Sequence, residues 1–245
     1  MKNILELTRE QAADRIALFA DEGRLIQSAW HTEEGGRHLA CLLGSIDEAI
    51  NSPEDCPANV MPGWMAELLP LLFDGVRAEV AISYGKRFAK ALRSGNTDDT
   101  VLRSFLVRSI EYAVAESRKS CSDKDYWPAV ERSCSDICAL VKAGVKSDSD
   151  EMIEARLAAR STARSARSAE FATRSAEFAT RSAEFATRFA ESVAWSAVES
   201  VAWSFAWSAA ESVAWSAAES AAESAAESAA YEHIFDALIE EMERA

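Results

Sequence analysis

Residues 168–188 read SAEFATRSAEFATRSAEFATR, which is three identical copies of one heptad. Seven residues are close to two turns of an α-helix, so Phe171, Phe178 and Phe185 fall on one face of a helix. Within each copy a Glu precedes an Arg by four residues, the favourable order for an ion pair along a helix. The stretch therefore predicts a helix with an aromatic stripe, and the sequence around it extends that helix.

The region around the heptads lacks helix breakers. All nine glycines and all five prolines lie within residues 1–144, and residues 145–245 contain neither. After the heptads the repeat shortens to tetrads that begin with Ser and end with Glu or an aromatic residue. Because Ala-rich sequence without Gly or Pro has a high helix propensity, residues 147–245 are predicted to form a long, low-complexity helical repeat tail.

The aromatic residues of the tail leave two interpretations open. A period of four exceeds one helical turn, so the tetrad row winds around a straight helix and forms no flat apolar face. Repeat expansion tolerated by a stable helix is one interpretation, and a selected interaction surface is the other. Exposed Trp is a solubility hazard, which favours the surface. Its predicted members, through which a homo-oligomer is expected, are Phe171, Phe178, Phe185, Trp195, Trp203, Trp207 and Trp215.

The first part of the chain, residues 1–146, is predicted to be a compact helical head domain. Thr8 and Gln11 have capping-box spacing, and Gly23 can end the first helix. No stretch alternates convincingly as a strand would, so a sheet is not expected. The predicted fold class is therefore all-α, a compact multi-helix head followed by the repeat tail. After the first helix, helices are expected over about 37–50, 62–73, 76–93, 100–118 and 126–142.

Two further helix ends have local signals in the sequence. Asp98 or Thr97 can cap the helix expected from residue 100, and Gly144 can end the helix expected to residue 142.

Charge and composition narrow the classes of partner. The net charge is −14, and residues 189–245 contain eleven acidic residues against the single base Arg244. Such an acidic segment repels nucleic acid and anionic membranes, so neither partner is predicted. No run of about 18 apolar residues predicts a membrane span. Five cysteines without a recognisable signal peptide predict reduced thiols and a cytoplasmic location.

The sequence contains no pattern typical of a catalytic site. A Gly-rich phosphate loop, an HExxH motif and a GxSxG motif are all missing, so no catalytic residue and no cofactor are predicted. Cys134 and Cys138 lie one helical turn apart and are expected to be buried thiols facing the core with Ile137 and Val141. Four residues are zinc ligands by type, but their spacing matches no compact zinc site and no metal is predicted: His31, His38, Cys41 and Cys56.

Polar and aromatic residues flank the two Gly- and Pro-rich loops of the head. Side chains that converge from loops onto a helical scaffold can form a ligand pocket. The alternative is that both Trp residues pack in the core while the Arg caps a helix or pairs locally. The predicted ligand- or partner-binding residues are Gln27, Trp30, Arg37, Met61 and Trp64.

Two stretches carry a family resemblance. One is GRLIQSAWHTEEGGRHLACLLGSI (23–46) with SPEDCPANVMPGWMAELLPLLFD (52–74), and the other is residues 101–166, which the Trp-bearing repeats follow. Together they resemble the immunity protein family of phages and prophages, in which a helical head precedes an Ala/Arg/Trp repeat tail. The resemblance covers most of the chain. It implies a role in binding and neutralising a target, and it supplies no catalytic residues. Ser and Glu replace Ala and Arg in this tail, which makes it acidic.

The predicted function is therefore a non-enzymatic binding protein of phage or prophage origin. It is expected to sequester or neutralise a protein or a small ligand in the bacterial cytosol, as an immunity or anti-defence protein does. Two alternatives stay open at this point. One is a structural spacer or assembly protein that uses the long helix, and the other is an enzyme whose site follows no recognised pattern.

Overall fold

The computed structural model describes residues 7–122, 125, 127–146, 149–169 and 221–244. The chain divides into two compact units. The first unit is Met1–Leu102 together with Tyr231–Ala245, and the second is Arg103–Ala230. The helices are α1 (Arg9–Asp21), α2 (Gly63–Gly75), α3 (Ala78–Ser94), α4 (Asp99–Cys121), α5 (Trp127–Lys142), α6 (Asp150–Ala169) and α7 (Ala221–Arg244), and the other elements are β1 (His31–Glu34), β2 (Arg37–Ala40) and a short 3-10 helix at Pro53–Asp55.

Several helix ends follow the signals in the sequence. The capping box of α1 is complete, because the Gln11 amide donates to the Thr8 hydroxyl at 3.2 Å and the Thr8 amide donates to the Gln11 side chain at 3.0 Å. Gly23 after α1 and Gly144 after α5 have φ of 61° and 68°, as left-handed C-caps require. The Asp98 carboxylate accepts from the Thr100 amide at 2.7 Å where α4 begins. These local predictions are confirmed.

The all-α prediction is wrong at residues 31–40, which form an antiparallel β-hairpin. His31 pairs with Ala40 and Glu34 pairs with Arg37. Gly35 and Gly36 both have positive φ, at 57° and 74°. Only glycine adopts such angles without steric cost, and two of them in succession match the two-residue turn that a hairpin needs. The helix expected over 37–50 is therefore replaced by β2 and the turns that follow it.

The core of the first unit forms where α1 packs against α3. Gly85 of α3 makes room for the Leu25 side chain, which follows α1 in the chain, because a Cβ there would overlap it. Arg9 at the start of α1 donates to the Thr97 hydroxyl at 2.8 Å and so holds the loop that follows α3. The largest fully buried side chains of residues 7–102 include Ile16, Leu42, Leu43, Ile46, Phe73 and Phe88.

Residues 231–244, here called the docking segment, belong to the first unit, whereas the sequence predicted one separate tail over 147–245. The tetrad pattern ends here, and apolar residues recur with the spacing of a helix face. Burying that face against the first unit removes it from water, which is the physical reason for the different division. The buried side chains of the segment include Tyr231, Ile234, Phe235, Leu238, Ile239 and Met242.

In the second unit α5 packs against α6. The Ser149 hydroxyl accepts from the Met152 amide at 3.2 Å, and α6 begins beside it. The described parts of the predicted tail, α6 and α7, are helical. Residues 170–220 lie outside the described residues, and they contain all seven aromatic residues of the predicted interaction surface. None of the helices in the described ranges has the length and apolar content to cross a membrane.

Candidate functional site

Gln27, one of the residues predicted to bind a ligand, is bound to the backbone at the end of α2. Its side-chain amide donates to the carbonyls of Phe73 at 2.5 Å and Val76 at 2.8 Å. The neighbouring Ser28 has φ 64°, and its amide donates to the Asp74 carboxylate at 2.8 Å. Carbonyls at a helix C-terminus lack intrahelical donors, so Gln27 acts as a cap for α2.

The other four predicted residues lie elsewhere in the first unit. Arg37 is exposed and donates to the Glu22 carbonyl at 2.6 Å, at the end of α1. Met61 and Trp64 are buried beside the start of α2, and Trp30 is half-buried. Gln27 and Arg37 thus hold the ends of different helices, as the local interpretation anticipated for Arg37. A common site for the five residues stays a prediction.

The two histidines of the hairpin, His31 and His38, contact each other through their rings. The His31 and His38 rings stack with centroids 5.2 Å apart, and His31 Nδ1 lies 3.1 Å from His38 Nε2. The Ile50 carbonyl only accepts, so His31 Nε2 donates to it at 2.8 Å. Cys41 is buried, and this burial raises the pKa of its thiol. Among the residues that the structure describes, no three His, Cys, Asp or Glu side chains group closely enough to hold a metal ion.

A cleft of about 450 Å³ opens between α4 and α5 in the second unit. Each helix contributes one face to it, because the lining residues recur at intervals of three or four along both helices. The volume falls within the range of small-molecule sites, roughly 300–1,000 Å³. The lining residues are Ile110, Glu111, Val114, Ala115 and Arg118 of α4, and Glu131, Cys134, Ser135, Cys138, Ala139 and Lys142 of α5.

An ion pair bridges the α4–α5 cleft towards each end. Arg118 Nε donates to Glu131 Oε1 at 2.7 Å, and Lys142 Nζ donates to Glu111 Oε1 at 2.9 Å. The two α4 members are seven residues apart, which is roughly 10 Å along a helix. The Arg118 and Lys142 side chains are 62% and 60% exposed, so water screens both pairs and they cost little to open. Each pair can therefore exchange its partner for a charged group of a ligand.

The cleft has an apolar floor, and small side chains form part of its walls. Ile110, Cys134 and Cys138 are buried at the bottom, and the exposed Ala115 and Ala139 leave the space between the helices open. The prediction that Cys134 and Cys138 are buried is confirmed. The floor therefore offers an apolar surface to anything that enters the cleft.

The two thiols behave as small apolar groups. Burial raises the pKa of Cys134 to about 12 and that of Cys138 to about 11, and the Glu111 carboxylate adds to the rise at Cys138. At neutral pH both groups are thiols, and the thiolate is the form that attacks an electrophile. The floor of the cleft consequently favours binding over nucleophilic chemistry at these sulfurs.

Sequence reasoning placed the two cysteines correctly but did not find the cleft that they line. The small residues and the four charges that complete it are ordinary for exposed helix faces. A cleft depends on the distance between two helices, and no local pattern encodes that distance. Comparison with family models, with curated proteins and with solved structures finds no match to this chain, so its function is inferred from the site itself.

Proposed function

We propose that the chain is a non-enzymatic binding protein whose α4–α5 cleft holds a small amphipathic ligand. The observation that carries this proposal is the cleft itself, which is apolar along its floor and bridged by ion pairs towards both ends. A ligand with an apolar body would lie over Cys134 and Cys138. An anionic group of that ligand would replace Glu131 on Arg118, whose guanidinium can bind a carboxylate or sulfonate through two parallel N–H groups.

The geometry favours a small ligand over a protein partner. A volume of about 450 Å³ is in the small-molecule range, and two helices form its walls. The resemblance to phage and prophage immunity proteins supplies the proposed setting, in which the ligand is sequestered or neutralised in the bacterial cytosol. The raised pKa values of both floor thiols support retention of the ligand without a covalent step.

Binding can be tested with two matched fluorescent dyes on the full-length chain. One dye is 1-anilinonaphthalene-8-sulfonate, which has an apolar body and an anionic group, and the other is its neutral parent, N-phenyl-1-naphthylamine. Ala139→Trp fills the cleft from an exposed position in its wall. Asp136→Trp adds the same ring at another exposed position of α5, outside the cleft lining, and serves as the control.

We expect Ala139→Trp to weaken binding of both dyes at least tenfold and Asp136→Trp to leave it within about twofold, because only the first ring occupies the cleft. Arg118→Gln should weaken the sulfonate dye several-fold and leave the neutral dye unchanged. If the wild-type chain binds neither dye, or if Ala139→Trp binds both as the wild type does, the α4–α5 cleft is not the binding site.

A further inference from the structure

The two histidine rings of the hairpin are held by packing on either side. A Cβ at Gly44 would lie 2.9 Å from the His31 ring, closer than real Cβ atoms come, so that ring rests against the bare backbone of the glycine. The His38 ring meets the Phe19 ring of α1 at 88°, with centroids 5.8 Å apart. This packing limits the rotation of both rings, and each ring nitrogen therefore has a fixed neighbour.

The four ring nitrogens form a row that ends on an acceptor at each side. His31 Nε2 lies 2.8 Å from the Ile50 carbonyl, and His31 Nδ1 lies 3.1 Å from His38 Nε2. At the other end His38 Nδ1 lies 3.6 Å from Glu48 Oε1, within ion-pair range. A carbonyl and an ionised carboxylate only accept, so both ends of the row require an N–H group. The contact between the rings requires one more proton, shared by its two nitrogens.

A neutral histidine pair cannot satisfy the whole row. Each neutral imidazole carries a single N–H group. His31 Nε2 donates to the Ile50 carbonyl, so His31 Nδ1 has to accept from His38 Nε2. That arrangement leaves a lone pair on His38 Nδ1 facing the Glu48 carboxylate. One added proton removes the mismatch, because it gives His38 Nδ1 an N–H group and keeps a single proton between the rings. The pair then carries one positive charge, whichever ring holds the shared proton.

A second added proton breaks the contact between the rings. With both imidazoles charged, every ring nitrogen carries a proton, and two N–H groups face each other across 3.1 Å. Like charges at this separation repel, and groups that interact this strongly take up their protons in separate steps. The outer bonds to the Ile50 carbonyl and to Glu48 remain favourable. The ring-to-ring contact is therefore the one that opens.

The charged groups around the pair favour the singly charged state. Glu48 faces His38 from the segment after β2, and Glu33 is the cross-strand partner of His38 on β1. From the loop after α1, Arg24 donates to the His38 carbonyl at 3.5 Å, and its own charge is paired with Glu22 at 2.6 Å. The ring that α1 contributes is uncharged. Two acidic side chains and a neutralised base thus surround the one positive charge.

We propose that His31 and His38 form a one-proton site that latches the β-hairpin and opens when a second proton binds. The latch joins β1 to β2 through the two rings, and it joins the hairpin to the following segment through the Ile50 carbonyl. With one added proton the row of nitrogens is complete, and with two it is broken. The hairpin of the first unit is thus a pH-sensitive element. This proposal stands independently of the α4–α5 cleft and its ligand.

The test is nuclear magnetic resonance of the full-length chain, isotopically labelled at the histidine ring nitrogens and titrated from pH 9 to pH 4. Long-range nitrogen–proton correlation shows which ring nitrogens carry protons, and scalar coupling between two nitrogens shows the hydrogen bond between the rings. Replacing each histidine by glutamine in turn assigns the signals. At pH 9 we expect the His31 proton on Nε2 and a coupling between His31 Nδ1 and His38 Nε2. The first proton taken up should appear on His38 Nδ1 while that coupling persists. The coupling should vanish only in a second step, at least about one pH unit lower.

Two matched variants separate the row from the general charge of the hairpin. Glu48→Gln removes the acceptor at the end of the row and should move the first step to lower pH by a few tenths of a unit, because the added charge loses its carboxylate. Glu34→Gln neutralises an exposed acid of the same hairpin whose cross-strand partner is Arg37, and it should leave both steps unchanged.

The wild-type spectra alone can overturn the proposal. It fails if His31 carries its proton on Nδ1 at pH 9, if no coupling joins the two rings, or if both rings become charged in one step with the coupling intact. An equal shift of the first step in Glu34→Gln and Glu48→Gln also contradicts it, because the Glu48 carboxylate then has no special place in the row.

Discussion

The contact between the docking segment and the α3 region of the first unit is here called the docking interface. It resembles the α4–α5 cleft at its edges and differs from it in the space between them. In both, opposite charges bridge two surfaces, with three ion pairs at the docking interface and two at the cleft. The docking interface is filled by large side chains such as Phe235 and Leu238, whereas alanines and thiols leave the cleft open. Exposed ion pairs contribute little stability and close packing contributes much. The filled interface therefore holds the fold together, and the open one is free to take a ligand.

The largest expected effect comes from emptying the filled interface. Phe235→Ala removes a fully buried ring and leaves a cavity beside Tyr84 and Phe88, which should lower the free energy of unfolding by about 3–5 kcal/mol. Glu240→Ala, on the exposed side of the same helix, should change it by less than about 0.5 kcal/mol. Urea denaturation followed by circular dichroism measures both. A loss below about 1 kcal/mol for Phe235→Ala would show that the segment is not packed as described.

The next largest effect is expected in the alkylation rate of the two cleft thiols, compared between the folded and the unfolded chain. Burial raises the pKa of Cys138 to about 11, so its thiolate fraction at pH 8 is very small. Alkylation by iodoacetamide should therefore be at least about 100-fold slower in the folded chain than in the chain unfolded in urea, where an ordinary thiol has a pKa of about 8.5.

The rate in the folded chain should also keep rising with pH up to about 11, whereas that of an ordinary thiol levels off near its own pKa. Mass spectrometry of the peptides that contain Cys134 and Cys138 measures both rates. Equal rates in the folded and unfolded chains would contradict the burial of these sulfurs.

A single methyl group tests how closely the filled interface is packed. Gly75→Ala should lower the free energy of unfolding by about 1–3 kcal/mol, because the new Cβ overlaps the Tyr231 ring. Gly63→Ala in the same helix meets no atom within 4 Å and should be neutral or slightly stabilising. In a Tyr231→Ala background the cost of Gly75→Ala should shrink. Equal effects of the two glycine substitutions would argue against the close approach of Tyr231.

The smallest effect concerns one ion pair and its dependence on pH. The hydrogen bond from Arg77 lowers the pKa of Glu232 below its ordinary value. A lowered carboxyl pKa stabilises the folded state above the unfolded-state value and loses that contribution as pH falls through the folded-state value. Arg77→Gln should therefore lower the melting temperature modestly at pH 7, and the difference from wild type should close towards pH 3.

The control for this pair is Glu79→Gln. Glu79 lies 3.7 Å from Arg77 and is 67% exposed, so its replacement should have almost no effect at either pH. Melting temperatures followed by circular dichroism between pH 7 and pH 3 test both variants. If Arg77→Gln lowers the melting temperature as much at pH 3 as at pH 7, the ionised Glu232 carboxylate is not the source of the effect.

Sequence reasoning succeeded where the deciding interactions are local. The Thr8 capping box, Gly23, Gly144 and the Asp98 cap act within four residues, so their patterns could be read directly. It failed at residues 31–40, where the Gly35-Gly36 turn signal was present but the helical pattern of the following residues was given more weight. The positive φ of two successive glycines settles that competition in favour of the hairpin.

The docking segment and the predicted ligand-binding residues were only partly recognisable from the sequence. The apolar residues 234, 235, 238, 239 and 242 form a visible helix face, so the sequence contained a reason to separate this segment from the tetrads. The sequence did not indicate which surface of the protein would cover that face. Gln27 and Arg37 looked like ligand-binding residues because a polar side chain beside a loop serves equally well as a helix cap.

The sequence by itself determined the predominance of helix among the described residues, the ends of several helices and the burial of Cys134 and Cys138. Hydrophobic periodicity, helix capping and the backbone freedom of glycine each act over a few residues. They can therefore be recognised in the sequence without the tertiary contacts. Only the tertiary structure decided that residues 231–244 complete the first unit and that α4 and α5 leave a cleft between them. Both outcomes depend on the distance and shape match between surfaces far apart in the chain, and those quantities exist only once the chain has packed.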